Sequence, residues 1–127
     1  MTENVDPLVL IVDDNEQNAK LARDVLRAEG FRTIEAESGA EALRRATVDR
    51  PDVILLDIRP PDMDGPDVAR RLKRDPRTAH IPVVAMTSLA LGGGGAWFLE
   101  AGFDGYLEKP IDIREFPAEV RRFSQAG

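Results

Sequence analysis

The sequence contains no cysteine among its 127 residues. Disulfide bonds and thiolate metal sites are therefore excluded, and the composition is compatible with a reducing compartment. No apolar stretch approaches the roughly 20 residues that a membrane-spanning helix needs, and the first seven residues lack the basic start and apolar core of a secretion signal. We therefore expect a cytoplasmic protein that does not enter the membrane.

The sequence also has a deficit of positive charge. Its 17 lysines and arginines are outnumbered by 23 aspartates and glutamates, for a net charge of -6. Arginines occur in scattered pairs rather than in one stripe with interleaved aromatic residues, which disfavours direct binding to nucleic acid. The pairs are Arg44-Arg45, Arg70-Arg71 and Arg121-Arg122. Each pair lies in a helical pattern, so we interpret them as solvated helix faces and assign them no function.

The length suits one ordinary domain, and 43% hydrophobic residues are enough for one packed core. We expect a single domain over residues 1–127, with its core at about residues 8–123. The polar segments on either side of the core are short. Any output would then come from the domain itself, through a separate partner protein.

Five short apolar runs alternate with helical patterns along the chain. Three runs are almost unbroken, as in strands buried on both faces of a sheet, and two are shorter and more polar, as in edge strands. In chain order, the runs cover residues 8–12, 31–36, 53–56, 82–86 and 103–107. The alternation predicts an α/β protein with a doubly wound, five-stranded parallel sheet of order 2-1-3-4-5 and five helices.

The helical patterns carry recognisable start and stop signals. One ends at Gly30, another begins at the capping-box sequence from Ser38 to Glu41, and the others cover residues 65–73, 89–101 and 112–123. Pro117 falls inside the last of these. We expect an irregular turn there, with regular helix only from Pro117, because proline is acceptable in the first turn of a helix but not further inside it.

Polar side chains follow four of the predicted strands. In an open parallel sheet the carboxyl ends of the strands meet at one edge, where ligands bind. We therefore expect five residues to converge at that edge: Asp13, Asp14, Asp57, Thr87 and Lys109. A single aspartate at a strand end is often only a helix cap, but three on adjacent strands, without sulfur or imidazole ligands, predict an octahedral Mg²⁺ site.

Such a site suits phosphoryl chemistry. Mg²⁺ held by carboxylates keeps positions open for a phosphate, while an ammonium group can neutralise the phosphoryl oxygens and a hydroxyl can bond to one of them. Asp57 would then be the nucleophile that becomes an aspartyl-phosphate, assisted by Lys109 and Thr87. Taken alone, Lys109 could equally be a surface charge and Thr87 a plain strand residue.

Together these motifs resemble the response-regulator receiver domains of two-component signalling, over nearly the whole chain. The resemblance implies the flavodoxin-like receiver fold and a phosphoprotein that assists its own phosphorylation and dephosphorylation rather than a conventional enzyme. The residues that carry it are Val12-Asp13-Asp14-Asn15, Leu56-Asp57, Pro61 to Gly65, Thr87, Tyr106 and Lys109-Pro110, the last of which is typically a cis peptide bond in the family.

The resemblance also implies roles for individual residues. Asp57 would be phosphorylated, Asp14 and Asp57 would bind Mg²⁺ with the main-chain carbonyl of Arg59, and Asp13 would act through a metal-bound water. Lys109 would hold the phosphate. Thr87 would move towards it and draw Tyr106 inward, which would reshape the face formed by helix 4, strand 5 and helix 5.

Asn15-Glu-Gln-Asn18 further resembles single-domain receivers of the DivK type. The implied partners are a histidine kinase or histidine phosphotransfer protein as phosphoryl donor and a downstream protein target, with no direct contact to nucleic acid or membrane. The chain's own histidine, His80, is interpreted as a surface residue rather than a relay residue.

Two segments depart from the family pattern. Pro60, within Arg59-Pro60-Pro61, replaces a large apolar residue and pushes Arg59 towards extended geometry, which puts its metal-binding carbonyl in question. Four glycines at residues 92–95 cost on the order of 3 to 4 kcal/mol of helix propensity. They leave two interpretations open, a tolerated loop or a mobile helix 4 that contributes to output.

Three alternative functions share features with this sequence. A degenerate receiver that serves as a phosphorylation-independent scaffold stays open because of Pro60 and the glycine run. A Mg²⁺-dependent phosphohydrolase of the haloacid-dehalogenase type needs a second acid where this chain has Arg59. A flavodoxin-like FMN-binding module needs a phosphate loop rich in serine, threonine and glycine, whereas the acidic sequence from Asp13 to Glu16 would repel phosphate.

Overall fold

The computed structural model describes residues 6–58, 65–87, 96–109 and 111–126. Strands and helices alternate throughout, as predicted. Their bounds are β1 Leu8–Val12, α1 Glu16–Ala28, β2 Arg32–Ala36, α2 Gly39–Asp49, β3 Val53–Asp57, α3 Gly65–Arg74, β4 Val83–Thr87, α4 Ala96–Glu100, β5 Gly105–Glu108 and α5 Phe116–Ala126. None of the described helices is long and apolar enough to cross a membrane.

The five strands form one parallel sheet in the order β2-β1-β3-β4-β5. The predicted order is therefore confirmed. β2 and β5, the two more polar runs, lie at the edges, and the three apolar runs lie at the centre. Because every strand runs in the same direction, the carboxyl ends of all five strands lie at one edge of the sheet.

Alternate side chains of the central strands enter separate cores on the two faces of the sheet. Val9 and Ile11 of β1 pack under α1 and α5, whereas Leu10 and Val12 pack under α2, α3 and α4. All four are buried. Full burial of such side chains contributes roughly 1.5 to 3 kcal/mol each, and because both faces of the sheet are covered, apolar residues are favoured at all four positions.

Side-chain caps begin two of the helices, and the one at Ser38 is the cap that the sequence predicts. The side chain of Ser38 accepts a hydrogen bond of 3.1 Å from the Glu41 N–H, and the Glu41 carboxylate accepts one of 2.9 Å from the Glu37 N–H. At α1, the Asn15 side chain accepts a 3.0 Å bond from the Asn18 N–H. These caps satisfy N–H groups that the first turn of a helix leaves unpaired.

The predicted bounds of the fifth helix were wrong. Residues 112–115 form a turn rather than helix, in which Asp112 Oδ1 accepts hydrogen bonds from the N–H groups of Arg114 and Glu115. Regular helix starts at Phe116 and continues to Ala126. Pro117 is the reason, since its missing N–H is harmless only in a first turn. The irregular turn expected before Pro117 is confirmed.

Candidate functional site

Three carboxylates meet at the carboxyl edge of the sheet. Asp57 is the last residue of β3, and Asp13 and Asp14 directly follow β1. The two strands are adjacent, with Val12 paired to Leu56, so the residues that follow them are neighbours. One carboxylate oxygen from each of Asp13, Asp14 and Asp57 lies within 4.8 Å of the other two. The clustering of these three carboxylates, which the strand order predicts, is therefore present in the structure.

Local hydrogen bonds hold Asp13 in place. Its N–H extends the sheet by donating to the carbonyl of Ala36 at 3.1 Å, and its Oδ1 accepts from the Asn15 N–H at 2.9 Å. The side chain of Asp13 is only 9% exposed, whereas Asp14 is exposed to solvent. Asp13 is thus the buried, fixed carboxylate of the cluster, and Asp14 is the carboxylate that solvent can reach.

Lys109 reaches into the cluster from the end of β5. Its N–H donates to the carbonyl of Thr87 at 2.7 Å, which carries the β4–β5 pairing one residue beyond the strand. Its ammonium Nζ lies 3.1 Å from Asp57 Oδ1 and 3.3 Å from Asp13 Oδ2. The long side chain is fixed at both ends, so the positive charge is preorganised beside Asp57.

The surroundings of Lys109 keep it protonated at neutral pH. Burial by itself lowers the pKa of an ammonium group, but the hydrogen bond and charge of Asp57, followed by those of Asp13, outweigh that effect. The net result is a pKa above the ordinary lysine value. One positive charge therefore offsets part of the repulsion among the three carboxylates.

Thr87 completes this edge on the other side of Asp57. It is the last residue of β4, directly after Met86, which pairs with Asp57 in the sheet. The residue is 2% exposed. β4 side chains alternate between faces, so Thr87 lies on the same face as Ala85, which is the partner of Tyr106 in β5. A structural connection therefore runs from the acidic edge towards Tyr106.

Tyr106 lies in an aromatic cluster whose members the sequence analysis did not anticipate. Its ring stacks on Phe98 of α4, with centroids 5.1 Å apart and planes 17° apart. Phe98 also meets Phe103 edge to face at 5.9 Å. The sequence offered only a weak signal for this contact, an aromatic residue within a predicted helix. Phe98 and Tyr106 are 8 residues apart, and whether they stack depends on how α4 docks onto β5.

Gly65 is a further residue whose role emerges from the structure. Its N–H donates to the carbonyl of Ile58 at 3.1 Å, which joins the start of α3 to the residue that follows β3. A β-carbon at this position would lie 2.5 Å from the same carbonyl oxygen. Only glycine fits this approach without a backbone shift, and the signal for it was the glycine that closes the Pro61 to Gly65 motif.

The structure thus brings together Asp13, Asp14, Asp57 and Lys109, with Thr87 at the adjoining strand end. Other predicted features lie outside the described residues. They are the Arg59 carbonyl, the Arg59-Pro60-Pro61 run, the glycines at residues 92–95 with the start of the predicted fourth helix, and the peptide bond to Pro110. His80 is exposed in the turn before β4, which agrees with its interpretation as a surface residue.

Comparison with known proteins identifies this arrangement. A sequence model of the response regulator receiver domain matches residues 9–121. The chain belongs to the response regulator receiver domain family. The family resemblance drawn from the motifs is therefore confirmed, and the protein is a receiver-domain signalling protein of the two-component type.

Among curated relatives, this receiver domain is similar to the polar-differentiation response regulator DivK of Brucella anthropi. The two are 41% identical over 115 residues, which cover 91% of this chain and 94% of the relative. The proposed likeness to DivK is confirmed at the level of sequence.

Solved structures give the same result for the fold. The receiver domain of a sensor histidine kinase from Pseudomonas aeruginosa superposes with a TM-score of 0.85 at 31% identity, covering 95% of this chain and 99% of that one. That structure has a magnesium ion coordinated in its active-site cleft. The chemotaxis response regulator CheY4 of Vibrio cholerae has a TM-score of 0.86 at 24% identity, covering 94% of this chain and 99% of that one, and so shares the fold.

Proposed function

We propose that this receiver domain accepts a phosphoryl group on Asp57 from a phosphohistidine donor, in a reaction that depends on Mg²⁺. The observation that carries the proposal is the setting of Asp57. Its Oδ1 lies 3.1 Å from the Lys109 ammonium, and its carboxylate lies within 4.8 Å of two further carboxylates. A nucleophile, a fixed cation and a set of hard oxygen ligands thus lie together at an accessible edge.

The three carboxylates fit a magnesium ion. Mg²⁺ prefers oxygen ligands, takes one or two carboxylates directly and fills other positions with water and phosphate oxygens. Asp14 and Asp57 would bind it directly with the carbonyl of Arg59, and Asp13 would bind it through a water. The Arg59 carbonyl enters the proposal from the family motif alone. When bound, Mg²⁺ would neutralise the carboxylates and the phosphoryl oxygens.

Phosphoryl transfer then requires little more than positioning and charge. A carboxylate oxygen of Asp57 forms the new bond to phosphorus while the bond from phosphorus to the donor's imidazole nitrogen breaks, and the electron pair of that bond stays on the nitrogen. Lys109 would hold one phosphoryl oxygen, and the Thr87 hydroxyl would hold another. No general acid from this chain is required when the second ring nitrogen of the phosphohistidine carries a proton, because the imidazole then departs as a neutral ring.

Phosphorylation would be reported through Thr87 and Tyr106. Because they lie on the same sheet face, a shift of Thr87 towards the phosphate would open space that the Tyr106 ring could enter. That ring movement must alter its stacking on Phe98, and with it the contact between α4 and β5. The proposed output is a population shift in the α4–β5–α5 face.

The proposed donor is a histidine kinase or histidine phosphotransfer protein, and the proposed receiver of the signal is a downstream protein that recognises the switched face. This donor would place the reaction in the cytoplasm. We also propose that residues 1–127 act as one receiver unit with its core at about 8–123, in keeping with the family match over residues 9–121.

The test is intact-mass measurement after incubation with acetyl phosphate, with and without Mg²⁺. We expect the native chain to gain one phosphoryl group only with Mg²⁺, and Asp57→Asn to gain none. Asp24→Asn, an exposed aspartate on α1, is the matched control and should behave like the native chain. A gain that persists in Asp57→Asn, or no gain in any sample, would refute the proposal, and the second outcome would favour the scaffold alternative.

A further inference from the structure

A second polar site lies between α2 and α3, far from the acidic cluster. A groove of about 540 Å³ is bordered by α2 on one side and by the end of α3 and the following turn on the other. Four arginines line it: Arg44, Arg71, Arg74 and Arg77. We refer to it as the arginine groove. Four guanidinium groups against one lining carboxylate, Asp75, are unexpected on a chain with a net charge of -6.

The groove lies towards the opposite edge of the sheet from Asp57. α3 connects the carboxyl end of β3 to the amino end of β4, so it runs back from the carboxyl edge to the amino edge of the sheet. The lining residues Arg71 and Arg74 come from its last turn, and Arg77 comes from the turn that leads into β4. The arginine groove is therefore separate from the proposed phosphorylation site.

Two of the four arginines pair with no carboxylate in the described structure. Within the described parts of the chain, Arg71 and Arg74 are exposed and form no ion pair or hydrogen bond through their side chains. Arg44 lies 3.6 Å from a Glu41 oxygen, at the outer limit of a contact. Arg77 alone is firmly paired, with two bonds to Asp75 of 2.8 and 3.1 Å. Guanidinium groups gathered in this way repel one another unless an anion lies between them.

The walls of the groove are held in fixed positions. The buried hydroxyl of Thr78 donates to the carbonyl of Leu72 at 2.7 Å, which ties the turn to the end of α3. Leu72 is buried, and Leu43 on the opposing helix packs against the same core. Leu43 and Leu72 lie between these charged side chains, but the other seven lining residues are polar or charged, as suits a site for an anion.

We propose that the arginine groove binds a small phosphate-bearing molecule of about nucleotide size. Guanidinium groups bind phosphate oxygens through paired N–H donors, and Arg71 and Arg74, three residues apart, lie on one face of their helix. The volume falls within the range of about 300 to 1,000 Å³ that is typical of ligand pockets. Arginines lie on both sides of the groove, Arg44 on α2 and Arg71 and Arg74 on α3, so they can converge on one compact anion more readily than on the spaced carboxylates of an acidic protein segment.

The probe is ADP, titrated into ¹⁵N-labelled protein with EDTA present so that metal-dependent binding at Asp57 is excluded. We expect saturable shifts of amide resonances in α2, the end of α3 and residues 75–78. Arg71→Gln with Arg74→Gln should weaken binding about tenfold or more, because two charge-assisted contacts are lost. Arg114→Gln with Arg122→Gln removes the same charge from the region of α5, on the other face of the sheet, and should leave the affinity unchanged.

A second variant separates geometry from charge. Arg71→Lys with Arg74→Lys keeps both positive charges but loses the planar fork, so its affinity should lie between those of the native and glutamine forms. Titrations with inorganic pyrophosphate and with pentaglutamate complete the test. Pyrophosphate binding at the same residues supports the proposal. No saturation with either phosphate probe, equal affinity in the glutamine variant, or saturation by pentaglutamate alone would overturn it, the last in favour of an acidic protein partner.

Discussion

Replacing Asp14 with asparagine should stabilise the metal-free protein. Asp14 is the accessible member of three carboxylates whose nearest oxygens lie within 4.8 Å of one another. The ammonium of Lys109 contacts Asp57 and Asp13, and no such contact is made with Asp14 in the described structure. Asp14 therefore experiences repulsion from two like charges without a direct positive partner, and asparagine keeps the shape of the side chain while removing that repulsion.

The size of the effect follows from the distance. Two like charges 4.8 Å apart repel by about 0.9 kcal/mol in bulk water and by about 3.5 kcal/mol at an effective dielectric constant of 20. Asp14 is exposed, and Lys109 offsets one of its two repulsive neighbours at longer range. We therefore expect a gain of about 1 kcal/mol in the free energy of unfolding, close to the value for water. For a domain of this size the gain corresponds to a urea midpoint about 0.5 M higher.

The assay is urea unfolding in EDTA at low and high ionic strength, followed by the same experiment with Mg²⁺. The gain should shrink as salt screens the repulsion. Mg²⁺ should stabilise the native chain more than Asp14→Asn, because binding to the folded state adds stability only where the ligands are present. The control, Asp24→Asn, removes a carboxylate that is paired with Lys20, so it should not stabilise. A variant at Asp14 that is no more stable than the native chain in EDTA would refute the reasoning.

Three further predictions address the helix ends and the turns. Gly65→Ala should lower the free energy of unfolding by about 1 to 3 kcal/mol, measured in urea, because its β-carbon would collide with the Ile58 carbonyl. Ser38→Ala should cost about 1 kcal/mol by removing the cap of α2, and Ser38→Asp should restore it. Hydrogen bonds from Arg77 lower the pKa of Asp75, so an NMR titration should place its midpoint below the ordinary value of 3.8. Arg77→Gln should raise that midpoint, and the stability gained from the pair should be present above pH 4 and lost as the pH falls through the midpoint.

The sheet could be predicted because its sequence signals are local and mutually consistent. Runs such as residues 8–12 and 53–56 are apolar at every position, which favours strands covered on both faces, and the two more polar runs suit the edges of the sheet. Once all strands are parallel, their carboxyl ends share an edge. The convergence of Asp13, Asp14, Asp57 and Lys109 follows without any knowledge of side-chain contacts.

Other features depend on packing between distant segments. The irregular turn before Pro117 was predicted, but the continuation of α5 past the predicted end at residue 123 to Ala126 was not. Tyr106 was identified, but its stacking on Phe98 depends on how α4 docks. The arginine groove was missed for the same reason: Arg44 and Arg71 looked like members of solvated pairs, and only the contact between α2 and α3 places them around one cavity.

The two charged sites should act independently of each other through space. They lie near opposite ends of the strands, the cluster at the carboxyl ends and the groove towards the amino ends. The central strand, β3, has five residues and spans about 16 Å at 3.3 Å per residue. The screening length at physiological salt is about 8 Å, so direct attraction between an anion in the arginine groove and the cluster at Asp57 is largely suppressed. Any effect of a bound anion on phosphorylation would therefore have to pass through the packing of α3. The first residue of this helix, Gly65, contacts the segment after Asp57, and its last turn supplies Arg71 and Arg74. Gly65→Ala should then weaken such coupling while leaving ADP binding itself unchanged, whereas a direct electrostatic effect would survive that substitution and disappear in high salt.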